Sequence, residues 1–185
     1  MFYLIKSLLP NIVNRIQLCI SELIGEDVTI KVKRKYRLKP EESPVKLCKE
    51  DNIVVIHTNI KTSMKNDKIY QGLITLSIDS AKNLSKLLLS MVDIDLSEES
   101  AFDALCEFGN IVFGAFTSEI SKKYHLRIDY SIPQVIVELC PAIISSLVAE
   151  IGAYEDFIDV YELKLITNNG LADIEVLMFK GGIMC

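Results

Sequence analysis

The sequence predicts a single α/β domain, residues 1–185, with three helices and about six strands. Three observations support this fold class. Apolar residues recur at steps of three and four in two long segments, 1–25 and 97–124, which is the spacing of amphipathic helices. Residues 27–39 alternate with a period of two, as a strand does. The triplet 168–170, Asn-Asn-Gly, lies between two apolar runs and is a strong hairpin signal.

Composition narrows the class of protein. Hydrophobic residues make up 50% of the chain and charged residues 24%, which is typical of a soluble globular protein. The net charge of −5 argues against a nucleic-acid binder. The sequence contains no uninterrupted stretch of about 20 apolar residues, so no membrane span is predicted. The five cysteines are scattered without a CxxC pair, so we expect reduced thiols in a cytoplasmic protein, with neither a disulfide framework nor a zinc site. The two histidines have no metal-ligand spacing, and no metal site is predicted.

The first helix and strand each have a predicted buried face. The helix ends near Gly25, and its apolar stripe consists of Ile5, Leu8, Ile12, Ile16, Ile20 and Leu23. In the strand, one side carries Ile30, Val32 and Tyr36, and the other carries Lys31, Lys33, Lys35, Arg37 and Lys39. Such a row of cations suits an acidic partner, but it also suits a solvated face or a protected edge strand.

The remaining elements follow from periodicity and turn residues. A hairpin is predicted over Ile53–Lys61 and Ile69–Ile78, and then a helix from Ser80 to about Val92 with Asp79 as its cap. One later strand is predicted over Leu126–Tyr130 and Gln134–Leu139, broken at Pro133, and two more at Ile158–Thr167 and Ala172–Phe179. The pattern of residues 142–151 fits either a short helix or a buried strand.

The helix predicted over 97–124 has two different faces. Ser97 is its predicted N-cap, and its buried stripe consists of Leu105, Phe108, Val112, Phe116 and Ile120. A second arc of about 80° carries Asp103, Glu107, Asn110, Gly114, Ser118 and Ser121. Small residues on this arc indicate close approach of another backbone. That backbone belongs either to the same chain or to a second molecule that reads Glu107 and Asn110.

The arrangement Asp103-x-x-x-Glu107-x-x-Asn110, followed after 22 residues by Pro133, resembles the motif of the CheC/CheX/FliY family. Members of that family are phosphatases of the phosphorylated chemotaxis response regulator CheY. The resemblance covers most of the chain, with residues 70–137 the most informative, and the single motif is more similar to CheX than to CheC. It implies a CheC-like fold, with helices packed on a mostly antiparallel sheet.

The resemblance also implies roles for the motif residues. Asn110 would enter the receiver's active site and orient the attacking water, and Glu107 would pair with the receiver's lysine. Asp103 would support them at the rim of the contact. From their place on the helix, Gly114 and Ser118 are further predicted partner-binding residues. The chain would need no cofactor of its own, because Mg²⁺ is expected in the receiver.

A weak internal repeat lies at an offset of 100 residues. The apolar stripe of the first helix aligns with that of the second, and Ile20-Ser21 recurs as Ile120-Ser121. Duplication is one explanation, and chance alignment of two amphipathic helices is the other. Under duplication, Tyr3, Ser7 and Pro10 stand where the second copy has Asp103, Glu107 and Asn110, so one motif is expected to be active.

Two alternatives to a phosphatase are left open. The chain could be a non-catalytic module that docks a receiver or a CheD-like deamidase, although retention of both Glu107 and Asn110 favours catalysis. A flagellar-switch role is less favoured, because we expect no further domain after the last predicted strand. The resemblance to CheX is compatible with a homodimer formed by pairing of sheet edges, and the sequence leaves monomer and homodimer both open. Hydrolysis by paired carboxylates is disfavoured, since Asp103 and Glu107 are predicted on a convex helix.

Overall fold

The computed structural model describes residues 2–42, 46–48, 52–63, 68–90, 99–143, 145–146, 157–167 and 171–183. Three long helices and seven strands lie within these residues. They are α1 (Phe2–Ile24), β1 (Thr29–Leu38), β2 (Asn52–Thr62), β3 (Lys68–Ser77), α2 (Ile78–Leu89), α3 (Glu99–Tyr124), β4 (Ile128–Tyr130), β5 (Gln134–Leu139), β6 (Ile158–Ile166) and β7 (Leu171–Ile183). The predicted α/β class is confirmed. The strand number is seven because the chain breaks at Pro133, between β4 and β5.

One antiparallel sheet organises the chain. Its order is β1-β6-β7-β3-β2, and both β4 and β5 pair with the outer side of β2. Alternate residues of β2 enter two different cores. Val54 and Ile56 join the larger core beneath the helices, whereas Ile53 and Val55 join a smaller core on the other face. All three helices contribute to the larger core, and α1 packs against α3.

The sheet order supports duplication as the origin of the internal repeat. Each half begins with a helix, a strand and a hairpin, and in the second half the strand is broken into β4 and β5. The strand of each half pairs with the hairpin of the other half, because β1 pairs with β6, and β4 and β5 pair with β2. The two hairpins meet in the centre through β3 and β7. The helix ends match as well, because Gly25 and His125 both have positive φ, at 70° and 52°. Ser21 and Ser121 each bond through Oγ to the segment that follows their helix, at Val28 N and Leu126 O.

The helical predictions hold with two corrections. Leu8, Ile12, Ile16 and Ile20 are buried as expected, but Leu23 is 47% exposed, and Ile24 of the same turn packs against the larger core in its place. The side chain of Ile5 lies outside the described part of the chain. Asp79 was predicted to cap α2, and this is wrong. Ser77 is the N-cap instead, and its Oγ accepts a hydrogen bond from the Ser80 backbone N–H at 3.0 Å.

The face assignment for the basic strand β1 is also wrong. The register to β6 shifts between Val32 and Arg34, and this irregularity reverses which side chains face the helices. Ile30 therefore lies in the larger core, whereas Leu38 lies in the smaller core on the opposite face. The five cations do not form one row on one face of the strand. Lys31 precedes the register shift, and beyond the shift the odd-numbered residues face the opposite side of the sheet from Lys31.

Carboxylates of the neighbouring strand neutralise part of this basic strand. Arg37 Nε lies 2.9 Å from Asp159 Oδ1, and Tyr36 donates a hydrogen bond to Glu162 Oε1 at 3.0 Å. Arg34 Nε lies 3.7 Å from Glu162 Oε2. Since β1 ends the sheet order, these contacts favour the protected edge strand over the acidic-partner interpretation.

The prediction that all thiols are reduced is wrong for one pair. Cys48 and Cys140 form a disulfide whose Cα atoms are 5.5 Å apart across a sequence separation of 92 residues. Both residues belong to the smaller core. Cys140 begins a helical stretch, and the described residues of the ambiguous segment 142–151, which are 142–143 and 145–146, are helical. The predicted N-cap Ser97 and the turn at 168–170 lie outside the described residues, although β6 and β7 pair as the expected hairpin.

Candidate functional site

Helix α3 holds the motif against the core. Its predicted stripe is buried throughout: Leu105, Phe108, Val112, Phe116 and Ile120. Phe108 and Phe116 are among the largest fully buried side chains of the described chain. The helix is therefore a fixed support whose opposite face cannot rotate without exposing this stripe to water.

The opposite face presents the predicted site residues together. Asp103 and Glu107 are exposed, and Asn110, Gly114 and Ser118 are half-buried. Asp103 and Asn110 are separated by about 10 Å along the helix axis, at about 1.5 Å per residue. Within the described part of the chain, the side chains of Glu107 and Asn110 make no hydrogen bond or ion pair. Their polar atoms are thus available to a second molecule.

Gly109 explains the distant proline of the motif. A Cβ atom on Gly109 would lie 2.7 Å from Ile56 Cγ2 and 3.1 Å from Pro133 Cβ. Pro133 is buried against the helix at this point. Only a residue without a side chain lets the segment before β5 approach the turn that carries Glu107 and Asn110.

Gly109→Ala is expected to lower the free energy of unfolding by about 1–2 kcal/mol, because overpacking outweighs the gain in helix propensity. Urea unfolding followed by circular dichroism measures this change. An Ile56→Ala background removes the shortest of these contacts, so the cost of Gly109→Ala should shrink there. Equal costs in the two backgrounds would contradict the close contact.

Two hydrogen bonds fasten the segment around Pro133 to the motif helix. The Tyr130 hydroxyl donates to the backbone carbonyl of Asn110 at 3.4 Å, and the Cys106 thiol donates to the carbonyl of Pro133 at 3.4 Å. The Asn110 contact uses its backbone, so its side-chain amide stays available. Burial, with a smaller contribution from the negative charge of Asp103, raises the pKa of the Cys106 thiol. Cys106 is accordingly a neutral structural donor at pH 7, not a nucleophile.

Tyr130 also covers Gly114. A Cβ atom on Gly114 would lie 3.1 Å from the Tyr130 hydroxyl oxygen. Close approach by the chain's own strand, the first of the two interpretations, therefore accounts for this glycine. Contact of Gly114 and Ser118 with a partner stays a prediction. Ser121, at the end of the same arc, donates its hydroxyl to the Leu126 carbonyl at 2.6 Å and so serves the chain's own turn.

In a Tyr130→Phe background, Gly114→Ala is expected to raise the free energy of unfolding by about 1 kcal/mol relative to Tyr130→Phe alone. Alanine favours the helix, and loss of the hydroxyl leaves the ring carbon Cζ 4.0 Å from the new methyl group. With Tyr130 intact the gain should be smaller. Thermal unfolding of the four proteins in this cycle measures the difference, and identical gains with and without the hydroxyl would refute the contact. Gly109→Ala, in the same helix, should change stability in the opposite direction.

Sequence reasoning missed the segment that borders the motif. The pattern assigns no functional role to Tyr130, Ser131 or Ile132. Tyr130 ends β4 and contacts the motif helix, and Ser131 and Ile132 connect β4 to Pro133 and β5. The proline spacing was the available signal, since Pro133 had to meet some part of the motif helix. Among the described residues, no three His, Cys, Asp or Glu side chains converge on a point that could hold a metal ion. The described helices also include none with the length and hydropathy that crossing a membrane requires.

Residues 63–143 match the family model of the chemotaxis phosphatase CheX. This segment is less than half of the chain, but it contains Asp103, Glu107, Asn110 and Pro133. The predicted resemblance to the CheC/CheX/FliY family is confirmed. No curated protein matches the sequence.

Solved structures of CheC/CheX/FliY proteins share the fold. FliY of Thermotoga maritima matches with a TM-score of 0.66 and 14% identity, over 90% of this chain and 83% of that one. CheX of Borrelia burgdorferi, solved as a complex with CheY, BeF3 and Mg²⁺, matches with a TM-score of 0.58 and 14% identity, over 94% and 97%. The FliM middle domain of Vibrio alginolyticus matches with a TM-score of 0.66 and 11% identity, over 94% and 92%. At these identities the likeness shows the CheX-like fold alone.

Proposed function

We propose that this chain hydrolyses the aspartyl phosphate of a CheY-like response regulator. The observation that carries the proposal is the pair Glu107 and Asn110, one helical turn apart on the outer face of α3 and without side-chain partners among the described residues. The match of the surrounding segment to the CheX phosphatase model supports this proposal. So does the likeness to a CheX structure whose partner is CheY.

Each motif residue has a distinct proposed role. The Asn110 amide, which both donates and accepts hydrogen bonds, enters the receiver's site and orients a water molecule towards phosphorus. The Glu107 carboxylate pairs with the receiver's active-site lysine and sets the register of docking. Asp103 supports the contact at its rim, and Gly114 and Ser118 border the partner further along the helix. All five residues lie on one arc of the helix, so their side chains, where they have one, reach towards the same side, as a contact across an interface requires.

The reaction needs little from this chain beyond positioning. Water oxygen forms a bond to phosphorus as the bond between phosphorus and the aspartyl oxygen breaks, and the products are inorganic phosphate and the free carboxylate. The receiver brings the phosphoryl group, its Mg²⁺ and its lysine, so the chain contributes orientation and charge complementarity. Orientation favours the transition state because it removes a large entropic cost before the reaction begins.

A non-catalytic docking module is the second candidate. The likeness to FliM domains, one of them solved in a FliG–FliM complex from Helicobacter pylori, favours it, because that complex shows the fold used in assembly. In this alternative the chain binds a receiver or a CheD-like deamidase without turnover. A cytoplasmic location and a homodimer formed by pairing of sheet edges stay predictions.

Phosphate release from a phosphorylated CheY-like receiver of the same organism distinguishes the two candidates. The chain is added at one-tenth of the receiver concentration, so that acceleration requires repeated turnover. A phosphatase should speed release of the whole receiver pool, with a rate proportional to its own concentration. Binding without acceleration would establish the docking module and overturn the phosphatase proposal.

A further inference from the structure

Ile132 is the most exposed large hydrophobic side chain in the described chain, at 82%. A single exposed apolar residue is ordinary on a protein surface, so its exposure alone carries no weight. Its position and its rigid support are the informative features. Ile132 lies in the three-residue connection between β4 and β5, directly before the buried Pro133.

A dense set of hydrogen bonds fixes the connection on the Ser131 side. The Ser131 backbone N–H donates to the Asn59 carbonyl at 2.9 Å, and the Asn59 N–H donates to Ser131 Oγ at 3.0 Å. Thr58 Oγ1 donates to the Ser131 carbonyl at 2.7 Å. Pro133 fixes the other side by packing on Gly109. Ile132 is therefore held outward on a backbone that has little conformational freedom left to lose on binding.

The same connection borders the motif face. The Tyr130 hydroxyl donates a hydrogen bond to the Asn110 carbonyl, and the Cys106 thiol donates one to the Pro133 carbonyl. These two contacts lie on either side of Glu107 in the helix. Any molecule whose active site encloses the Asn110 amide must cover the adjoining surface. A molecule that binds the motif would therefore also cover Ile132.

We infer that Ile132 is an apolar docking contact for the phosphorylated receiver, which adds affinity but takes no part in the chemistry. The inference rests on the proposed function, because it names a further residue of that binding surface. A second copy of this chain is the less favoured occupant. Backbone pairing along β5 begins only at Gln134, whereas Ile132 lies outside the strand and directly before Pro133, which packs on Gly109 of the motif helix.

The test compares Ile132→Ser with a matched control, Val32→Ser. Val32 is also an exposed β-branched residue, at 39%, and it lies on β1 at the opposite end of the strand order. It is the counterpart of Ile132 at the repeat offset of 100 residues.

Titration with the beryllofluoride-activated receiver gives Kd, and phosphate release gives KM and kcat. For Ile132→Ser we expect Kd and KM to rise about tenfold with kcat within about twofold of wild type. Val32→Ser should leave all three constants unchanged.

Unchanged Kd and KM in Ile132→Ser would overturn the inference. If wild type still turns over the receiver in that case, the proposed function is unaffected. Dissociation of a homodimer by Ile132→Ser, seen by light scattering with receiver affinity unchanged, would assign the residue to contact between copies and also overturn it. If wild type binds the receiver without turnover, the phosphatase proposal fails, and the change in Kd still decides the role of Ile132. If wild type does not bind the receiver at all, both are overturned.

Discussion

Asn110→Ala is expected to lower kcat for receiver dephosphorylation by about a hundredfold or more, with little change in receiver affinity. The amide acts only on the attacking water, so its loss removes an interaction made in the transition state and leaves the docked ground state intact. The helix should not change, because Asn110 meets Tyr130 through its backbone carbonyl and not through the side chain. Single-turnover phosphate release at saturating receiver, together with a separate binding titration, measures both quantities.

Asn11→Ala is the matched control for this experiment. Asn11 is an exposed asparagine on α1, the helix that corresponds to α3 in the repeat, and it is outside the proposed site. It should keep wild-type kcat and KM. A fall in receiver affinity for Asn110→Ala that matches its fall in kcat/KM, with kcat unchanged, would assign Asn110 to binding and contradict its water-orienting role.

Reduction of the Cys48–Cys140 disulfide is expected to lower the free energy of unfolding by about 2–4 kcal/mol. The bond closes a loop with a sequence separation of 92 residues, and a cross-link across so long a segment strongly restricts the unfolded chain. It lies in the smaller core, on the sheet face away from the motif helix. We therefore expect reduction to lower stability while kcat measured well below the unfolding midpoint stays unchanged.

Urea unfolding with and without dithiothreitol measures this effect. The double variant Cys48→Ser/Cys140→Ser should unfold at the same urea concentration with and without reductant, at a midpoint below that of oxidised wild type. Cys19→Ser/Cys106→Ser, which removes the two free cysteines of the described chain, should keep the full response to reductant. Alkylation of Cys48 and Cys140 in unreduced denatured protein would show that the bond is absent.

Local signals in the sequence were sufficient for most of the fold. The helix stripe through Phe108 and Phe116, the period-two strands and the β6–β7 hairpin signal all depend on spacing within about 30 residues. That spacing also placed Asp103, Glu107 and Asn110 on one outer face, because helix geometry alone determines which residues share a face. The resemblance of the motif to the CheC/CheX/FliY family came from these same residues.

Contacts between distant segments decided the rest, since local spacing carries no information about them. The shift at Val32/Arg34 depends on how β1 pairs with β6, and one irregular residue moves every later side chain to the other face. The disulfide forms only because the folded sheet brings Cys48 and Cys140, which are 92 residues apart in sequence, into contact. The packing of Pro133 on Gly109 and Ile56 likewise exists only after β5 has paired with β2.

The sequence by itself determined which residues form the outer face of α3. Only the tertiary structure decided that Tyr130, Ile132 and Pro133 stand beside that face, because side chains from separate elements meet only when the sheet brings their backbones together.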